Sequence, residues 1–323
     1  MSKIPTFTIP SKSGLFRLST GPGFSKAGMQ DSRLLQVLIT YPDAKQLGEL
    51  MLAVVRAFSV SLRIRLCVVL SMYIILISSF TFCGAAWNET DALDALVQAY
   101  PDFLKGHDNN RLFWNDGTIP LVRDAEAKKT FEQRVKRASI LDQFHLEYPT
   151  GSLVKSPDVN EDPDRFRNEA FFQKMYGDCR NGSVDAHMTT IIWLPKTWGK
   201  KIKVTNVNNV AGQLTLVSDE IDNLPAALKS AAYPIAGVLS CRPVADTGKM
   251  SMHSYGAAID LNLQYSDYWF WQKNSESVVY RNRMPQQIVD IFERHGFIWG
   301  GKWYHFDTMH FEYRPELFSR AKQ

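Results

Sequence analysis

SMHSYGAAIDLNL, residues 251–263, is the stretch on which the reading of the C-terminal half turns. In a strand, residues two apart face the same side. AAIDLNL (257–263) therefore places Ala258, Asp260 and Asn262 on one face and Ile259, Leu261 and Leu263 on the other. An unpaired carboxylate in so apolar a run is costly, so Asp260 needs a partner. His253 lies seven positions earlier, and Gly256 between them permits a tight backbone approach. An imidazole and a carboxylate brought together suit a shared divalent cation; a plain hydrogen-bonded pair is the alternative. Two donors do not make a metal site, so further ligands must come from elsewhere.

The tail GFIWGGKWYHFDTMHFEYRPELF (296–318) supplies them. MHFEYR (309–314) reads as a strand with His310 and Glu312 on one face and Phe311 and Tyr313 on the other. His310 is the natural third ligand, and Asp307, just before the strand, can stand over the metal without binding it. Two histidines and an aspartate with one position open is the arrangement of a catalytic zinc. A nearby carboxylate then takes a proton from the attacking water and passes it to the leaving amine. Arg242 closes IAGVLSCR (235–242), read as a buried strand, where it can hold an oxyanion or a substrate carboxylate, or neutralise a structural acid. His305 is expected to line the cleft or surface. Glu312 is expected to support His310 or to pair with Arg242, with a fourth-ligand role as the alternative. Trp269, Trp271, Trp299 and Trp303 either form a groove or pack in the core; His187 and His295 read as structural.

Together the two stretches resemble the VanY-like D-alanyl-D-alanine carboxypeptidase and L-alanyl-D-glutamate peptidase family, which includes phage endolysins. SMHSYGAAIDL fits its SxHxxGxAxD motif, and GFIWGGKWYHFDTMHFE its GF-x-WGG-x-W…D-x-x-H-F segment. The resemblance spans roughly residues 165–318. It implies one zinc ion on His253, Asp260 and His310, Asp307 as base and Arg242 as the strand-end arginine. Ser251, Tyr255 and Trp303 are the expected substrate contacts. The implied substrate is a peptidoglycan stem peptide. The D-alanyl-D-alanine branches carry Glu where this chain has Asp307 in DTMH, which favours the endopeptidase branch. A carboxypeptidase, or a non-catalytic zinc-containing module that binds cell wall, are the rival expectations. The implied fold is α+β, a small central antiparallel sheet with flanking helices.

Elsewhere the texture agrees with α+β, because strands and helices do not alternate regularly. TTIIWLP (189–195) and KIKVTNV (201–207) predict a hairpin across Pro-Lys-Thr-Trp-Gly. AGQLTLVSDEIDNL (211–224) predicts a helix ended by Pro225. PQQIVDIFERHG (285–296) has a proline start, an apolar face and a glycine stop. Residues 87–165 read as a helical arm, with ETDALDALVQAYPDFL and DAEAKKTFEQRVKRASILDQF as helices and SPDVNEDPDRF as a loop at its end. The peptidase domain is expected over 166–323.

The 21 residues from Leu66 to Ala86, LCVVLSMYIILISSFTFCGAA, carry no charge. Arg56, Arg63 and Arg65 precede them and Glu89, Asp91 and Asp94 follow, so the part after Ala86 is expected to be exported. Signal peptide and uncleaved anchor both fit 51–86, with membrane contact only if it is uncleaved. Residues 1–50 read as unstructured or untranslated, with Met51 an alternative start. Of four cysteines, Cys179 and Cys241 fall in the exported part and make a disulfide candidate, with two free thiols as the alternative. A 323-residue chain with 45% hydrophobic and 22% charged residues is ordinary globular usage, and a net charge of +4 without a basic stripe does not suggest nucleic acid, so no nucleic-acid partner is expected. The chain is expected to be a monomer in the periplasm or outside the cell.

Overall fold

The structure, a computed structural model, describes residues 87–322 except 125–127, 164, 245–246 and 273–277, together with Phe7–Thr8 and Arg17–Leu18. The chain divides into two compact units, Met1–Cys83 and Gly84–Gln323. In the first, Phe7–Thr8 (β1) pairs antiparallel with Arg17–Leu18 (β2). The expected export segment 66–86, and the expectations for the rest of 1–86 outside those two strands, lie outside the described residues. Among the described residues no helix is long and apolar enough to cross a membrane.

The second unit mixes helices with small antiparallel sheets. Its principal sheet has three strands in the order Ala258–Asp260 (β7), His310–Tyr313 (β9), Phe297–Trp299 (β8). The centre falls to β9, all four of whose residues are buried, and its Phe311 ring stacks on Phe292 at 3.9 Å. Phe292 belongs to Gln286–Arg294 (α5), whose Ile288, Val289, Ile291 and Phe292 make the buried stripe that the sequence predicts. Each such side chain contributes roughly 1.5–3 kcal/mol by leaving water. Met188–Trp193 (β5) and Lys200–Thr205 (β6) form the predicted hairpin in uninterrupted register. Val210–Asp222 (α4) covers it with Val210, Leu214, Val217 and Ile221.

Two sequence expectations need correction. IAGVLSCR is not a buried strand: only Gly237 bridges, to Asp260, and residues 239–242 are exposed. The cause is its neighbour. Past Asp260 the facing chain is not extended but turns as a 3-10 helix over Met252–Tyr255, so Ser240 N meets His253 O (3.1 Å) instead of a ladder. The strand predicted over 257–263 stops at Asp260, because Asn262 turns its side chain to Ser230 O (3.0 Å) and Tyr233 O (2.6 Å) and accepts from Gln264 N (3.0 Å). Leu263 is consequently 50% exposed.

Residues 87–165 hold less helix than their composition suggests. Glu89–Ala99 (α1) forms as predicted, capped by Asn88. Leu104–His107 (β3) and Leu112–Trp114 (β4) then make an unpredicted hairpin. The second expected helix shrinks to Phe131–Lys136 (α2), opened by a Thr130/Gln133 capping box. Asp142 accepts from Ser139 N and Ser139 Oγ, both at 2.8 Å, and this local bonding outcompetes continuation of the helix. Next, Glu169–Tyr176 (α3) presses Phe171, Phe172, Met175 and Tyr176 into the core. One core cluster runs from Ala92 to Leu317.

Candidate metal centre and active-site cavity

Three features of the backbone bring His253, Asp260 and His310 together. Asp260 on β7 lies directly opposite His310 on β9. Leu261 N donates to Met309 O (3.0 Å) just beyond them, so theirs is the narrow, non-hydrogen-bonded kind of antiparallel pair, whose side chains stand closest. His253 arrives on the Met252–Tyr255 turn, which is capped by the preceding Ser251, its Oγ accepting from His253 N (3.3 Å). Gly256 ends that turn at φ 66°, and a Cβ there would sit 2.9 Å from Met188 Sδ. The close approach anticipated for this glycine is therefore needed.

The resulting geometry is tight. Asp260 Oδ1 is 3.0 Å from both His253 Nε2 and His310 Nδ1, and the two nitrogens are 3.1 Å apart. The outer nitrogens fix the tautomers. His253 Nδ1 donates to Val238 O (2.6 Å), which can only accept, and His310 Nε2 donates to Glu312 Oε2 (2.9 Å). In the neutral rings the inner nitrogens therefore both present lone pairs, beside a carboxylate oxygen, all within 4.8 Å of one another. Facing lone pairs repel unless a cation or proton lies among them. Two imidazoles and a carboxylate, each oriented by a hydrogen bond behind it, are a donor set that fits zinc. Burial opposes charge on His310, yet its hydrogen bonds to Asp260 and Glu312 push it up to about 10. In the same way Asp260, despite burial, is held far below the usual carboxylate range by His253 and then His310.

Glu312 is wholly buried and accepts from Arg167 Nη1 (2.7 Å), with Arg314 Nη1 3.5 Å from its other oxygen. It thus supports His310, and its salt bridge runs to Arg167, not to Arg242. Burial raises the Glu312 carboxyl, but Arg167 and His310 outweigh it and hold it low.

Beside the cluster opens a cavity of about 310 Å³. Asp307, Arg242, Ser251 and Trp303 line it together with Asp260 and His310; Tyr255 does not. Tyr255, expected at the substrate, is 2% exposed and lies against Phe172 and Tyr176, because its turn directs it into the core. Asp307 N donates to Gly300 O (2.9 Å), and a Cβ on Gly300 would fall 2.6 Å from Asp307 O, which accounts for glycine in WGG. Asp307 Oδ1 is buried without a hydrogen-bond partner. Burial, and then the charge on Asp260, push Asp307 up to about 7. A carboxylate raised in this way, with one oxygen unsatisfied, is suited to taking up a proton. Trp303 lies 5.7 Å from the His310 ring. Of the other tryptophans, Trp269 lines the cavity, Trp299 is core and Trp271 is exposed. His305 lines the cavity as expected, its Nδ1 2.6 Å from Asp162 Oδ2. Cys179 and Cys241 are joined by a disulfide, Cα–Cα 5.7 Å, tethering the chain next to Arg242.

Sequence reading missed Arg165, Arg167 and Tyr268 as cavity residues. Each reaches the cavity through tertiary packing from outside the two motifs, so local spacing carried no signal for them.

The fold and site define a class: a chain of mixed helix and sheet with a histidine–aspartate–histidine cluster beside a cavity lined by charged and aromatic residues. Residues 245–313 match a protein-family model described as D-alanyl-D-alanine carboxypeptidase, the family that the two motifs resemble. No curated protein and no solved structure matches the chain. The match supports a hydrolase acting on peptides, of the kind that acts on peptidoglycan.

Proposed function

We propose that this chain is an exported zinc metallopeptidase that hydrolyses peptidoglycan stem peptides, as an L-alanyl-D-glutamate-type endopeptidase. The observation that carries the reading is the convergence of His253 Nε2, Asp260 Oδ1 and His310 Nδ1 beside a cavity into which Asp307 brings an unsatisfied carboxylate oxygen. His253, Asp260 and His310 would hold the ion. Zinc bound there supplies Lewis acidity, polarising a carbonyl and acidifying a water. Asp307 takes the proton from the attacking water and returns it to the amine nitrogen as the C–N bond breaks. Arg242, on the exposed rim, attracts an anionic peptide. Glu312 and the Val238 carbonyl hold the two imidazoles in the ligating tautomer. Export is supported by the uncharged segment 66–86 and by the disulfide, which belongs to an oxidising compartment.

A carboxypeptidase releasing a terminal D-alanine is the second reading, favoured by the description of the matching family. Digestion of defined muropeptides by the zinc-loaded chain, with products identified by mass, separates the two. Cleavage between L-alanine and D-glutamate supports the first, and free D-alanine supports the second. A chain that binds one zinc and cuts nothing overturns both in favour of a cell-wall binding module.

A further inference from the structure

Tyr268 stands outside every motif, yet the backbone places it beside the assigned base. Tyr268 and Asp307 form an isolated antiparallel bridge. The flanking hydrogen bonds, Trp269 N to Phe306 O (2.9 Å) and Thr308 N to Asp267 O (3.0 Å), leave the two residues as a directly opposed, non-hydrogen-bonded pair. In such pairs the side chains project from the same face with Cβ atoms roughly 4.5–5.5 Å apart. Both side chains line the cavity that holds Asp260 and His310. The Tyr268 hydroxyl takes no hydrogen-bond partner among the described residues, and Asp307 Oδ1 is likewise unpartnered, so neither group is spent on the other. Burial, and then the charge on Asp307, raise the Tyr268 phenol, while Arg165 and Arg242 pull the other way. It remains a protonated donor at neutral pH.

We propose that Tyr268 is a further catalytic residue, whose hydroxyl donates a hydrogen bond to the oxygen that becomes negative when water adds to the scissile carbonyl. The inference rests on the peptidase reading above. In that step the water oxygen bonds to the carbonyl carbon, its proton passes to Asp307, and the carbonyl π pair moves onto the oxygen facing Tyr268. Collapse returns the pair, breaks the C–N bond and carries the Asp307 proton to the leaving nitrogen. A donor of this kind is worth most in the transition state and little in the ground state. The carbonyl of the substrate and the carboxylate of the product make weaker demands on it than the tetrahedral oxyanion.

The test compares wild type with Tyr268→Phe in the zinc-loaded full chain, reading four quantities. These are kcat and KM on the cleaved muropeptide, the zinc stoichiometry, the affinity for a phosphinate analogue of the scissile dipeptide, and the affinity for the product. The expected result is a roughly 100-fold fall in kcat with KM and zinc content unchanged. Phosphinate binding should weaken by a similar factor and product binding stay level. Unchanged kcat and phosphinate affinity in Tyr268→Phe overturns the proposal. So does an equal loss of phosphinate and product binding, which marks a merely packing role. A wild-type chain that neither cleaves nor binds the phosphinate overturns the peptidase reading itself, and the inference with it. That result is told apart from the others by the wild type alone.

Discussion

Glu312 and Asp307 flank His310 in sequence but act on it differently, and substitution should separate them. Glu312 touches only the outer nitrogen of His310. Glu312→Gln leaves the shape but weakens the acceptor, and zinc affinity should fall roughly 10–100-fold in competition with a chromophoric chelator. Asp307 lies off the ligand set, so Asp307→Asn should retain zinc while kcat falls roughly 10²–10⁴-fold. An Asp307→Asn protein as active as wild type would remove it as the base. The contrast also marks what was legible at this scale. His253, Asp260, His310 and Asp307 could be picked out because strand alternation and a turn glycine determine where they point. Arg167 and Asp162 could not. Arg167 meets Glu312 across 145 residues and Asp162 meets His305 across 143, and no local period encodes such contacts.

Among the elements, those with an uninterrupted apolar period were readable: α1, α4, α5, the β5–β6 hairpin and β9. Those shaped by side-chain capping or by a neighbour's turn, α2 and the 235–242 segment, were not. Asp142 shows the strength of the first effect. Burial raises its carboxyl, but the hydrogen bond from Lys129 Nζ (2.6 Å) and those from Ser139 prevail and hold it below the usual range. A folded value below the unfolded one, about 3.9, contributes stability above that pH and loses it as pH falls through the folded value. Asp142→Asn should therefore destabilise by roughly 1–3 kcal/mol near neutrality. In denaturant titrations its deficit against wild type should shrink below pH 4, and a deficit constant from pH 7 to 3 would contradict the assignment. The 235–242 segment, lacking a full ladder, depends on the Cys179–Cys241 bond, which closes a sequence separation of 62 residues. Replacing both cysteines by serine should cost roughly 4 kcal/mol in unfolding experiments by loop-closure entropy. It should also raise KM, because Arg242 follows Cys241 directly.

Within the Gly84–Gln323 unit, the cavity and the core make separate demands. Arg165, Arg167 and Arg242 balance Asp260, Asp307 and Glu312 around the cavity. On the proposed peptidase reading, a divalent cation held there would tip that balance positive and favour a peptide bearing carboxylates. Amidating the stem-peptide carboxylate nearest the scissile bond should raise KM about tenfold, as expected for loss of a charged hydrogen bond. The core argues that the family-matched segment does not stand alone. Tyr100 donates to the buried Glu316 (2.6 Å) and Tyr148 to the buried Glu293 (2.7 Å), while Trp299 N donates to Tyr148 Oη (2.9 Å) and Lys302 Nζ to Pro149 O (2.5 Å). Residues 87–150 thus satisfy charges and backbone groups on both sides of β8 and beyond β9, in addition to the apolar surface of α1. Removing them strips one hydrogen bond from each of two buried glutamates, whose ion partners Arg314 and Lys302 remain, at roughly 1.5–3 kcal/mol each, and uncovers the core that α1 covers. Together these losses are comparable with the roughly 5–15 kcal/mol by which an ordinary domain is stable. A chain lacking residues 87–150 is expected to show no cooperative thermal transition and no stoichiometric zinc binding. A cooperative melt with retained hydrolysis would instead show that the sheet and the His253–Asp260–His310 cluster hold together without the preceding segment.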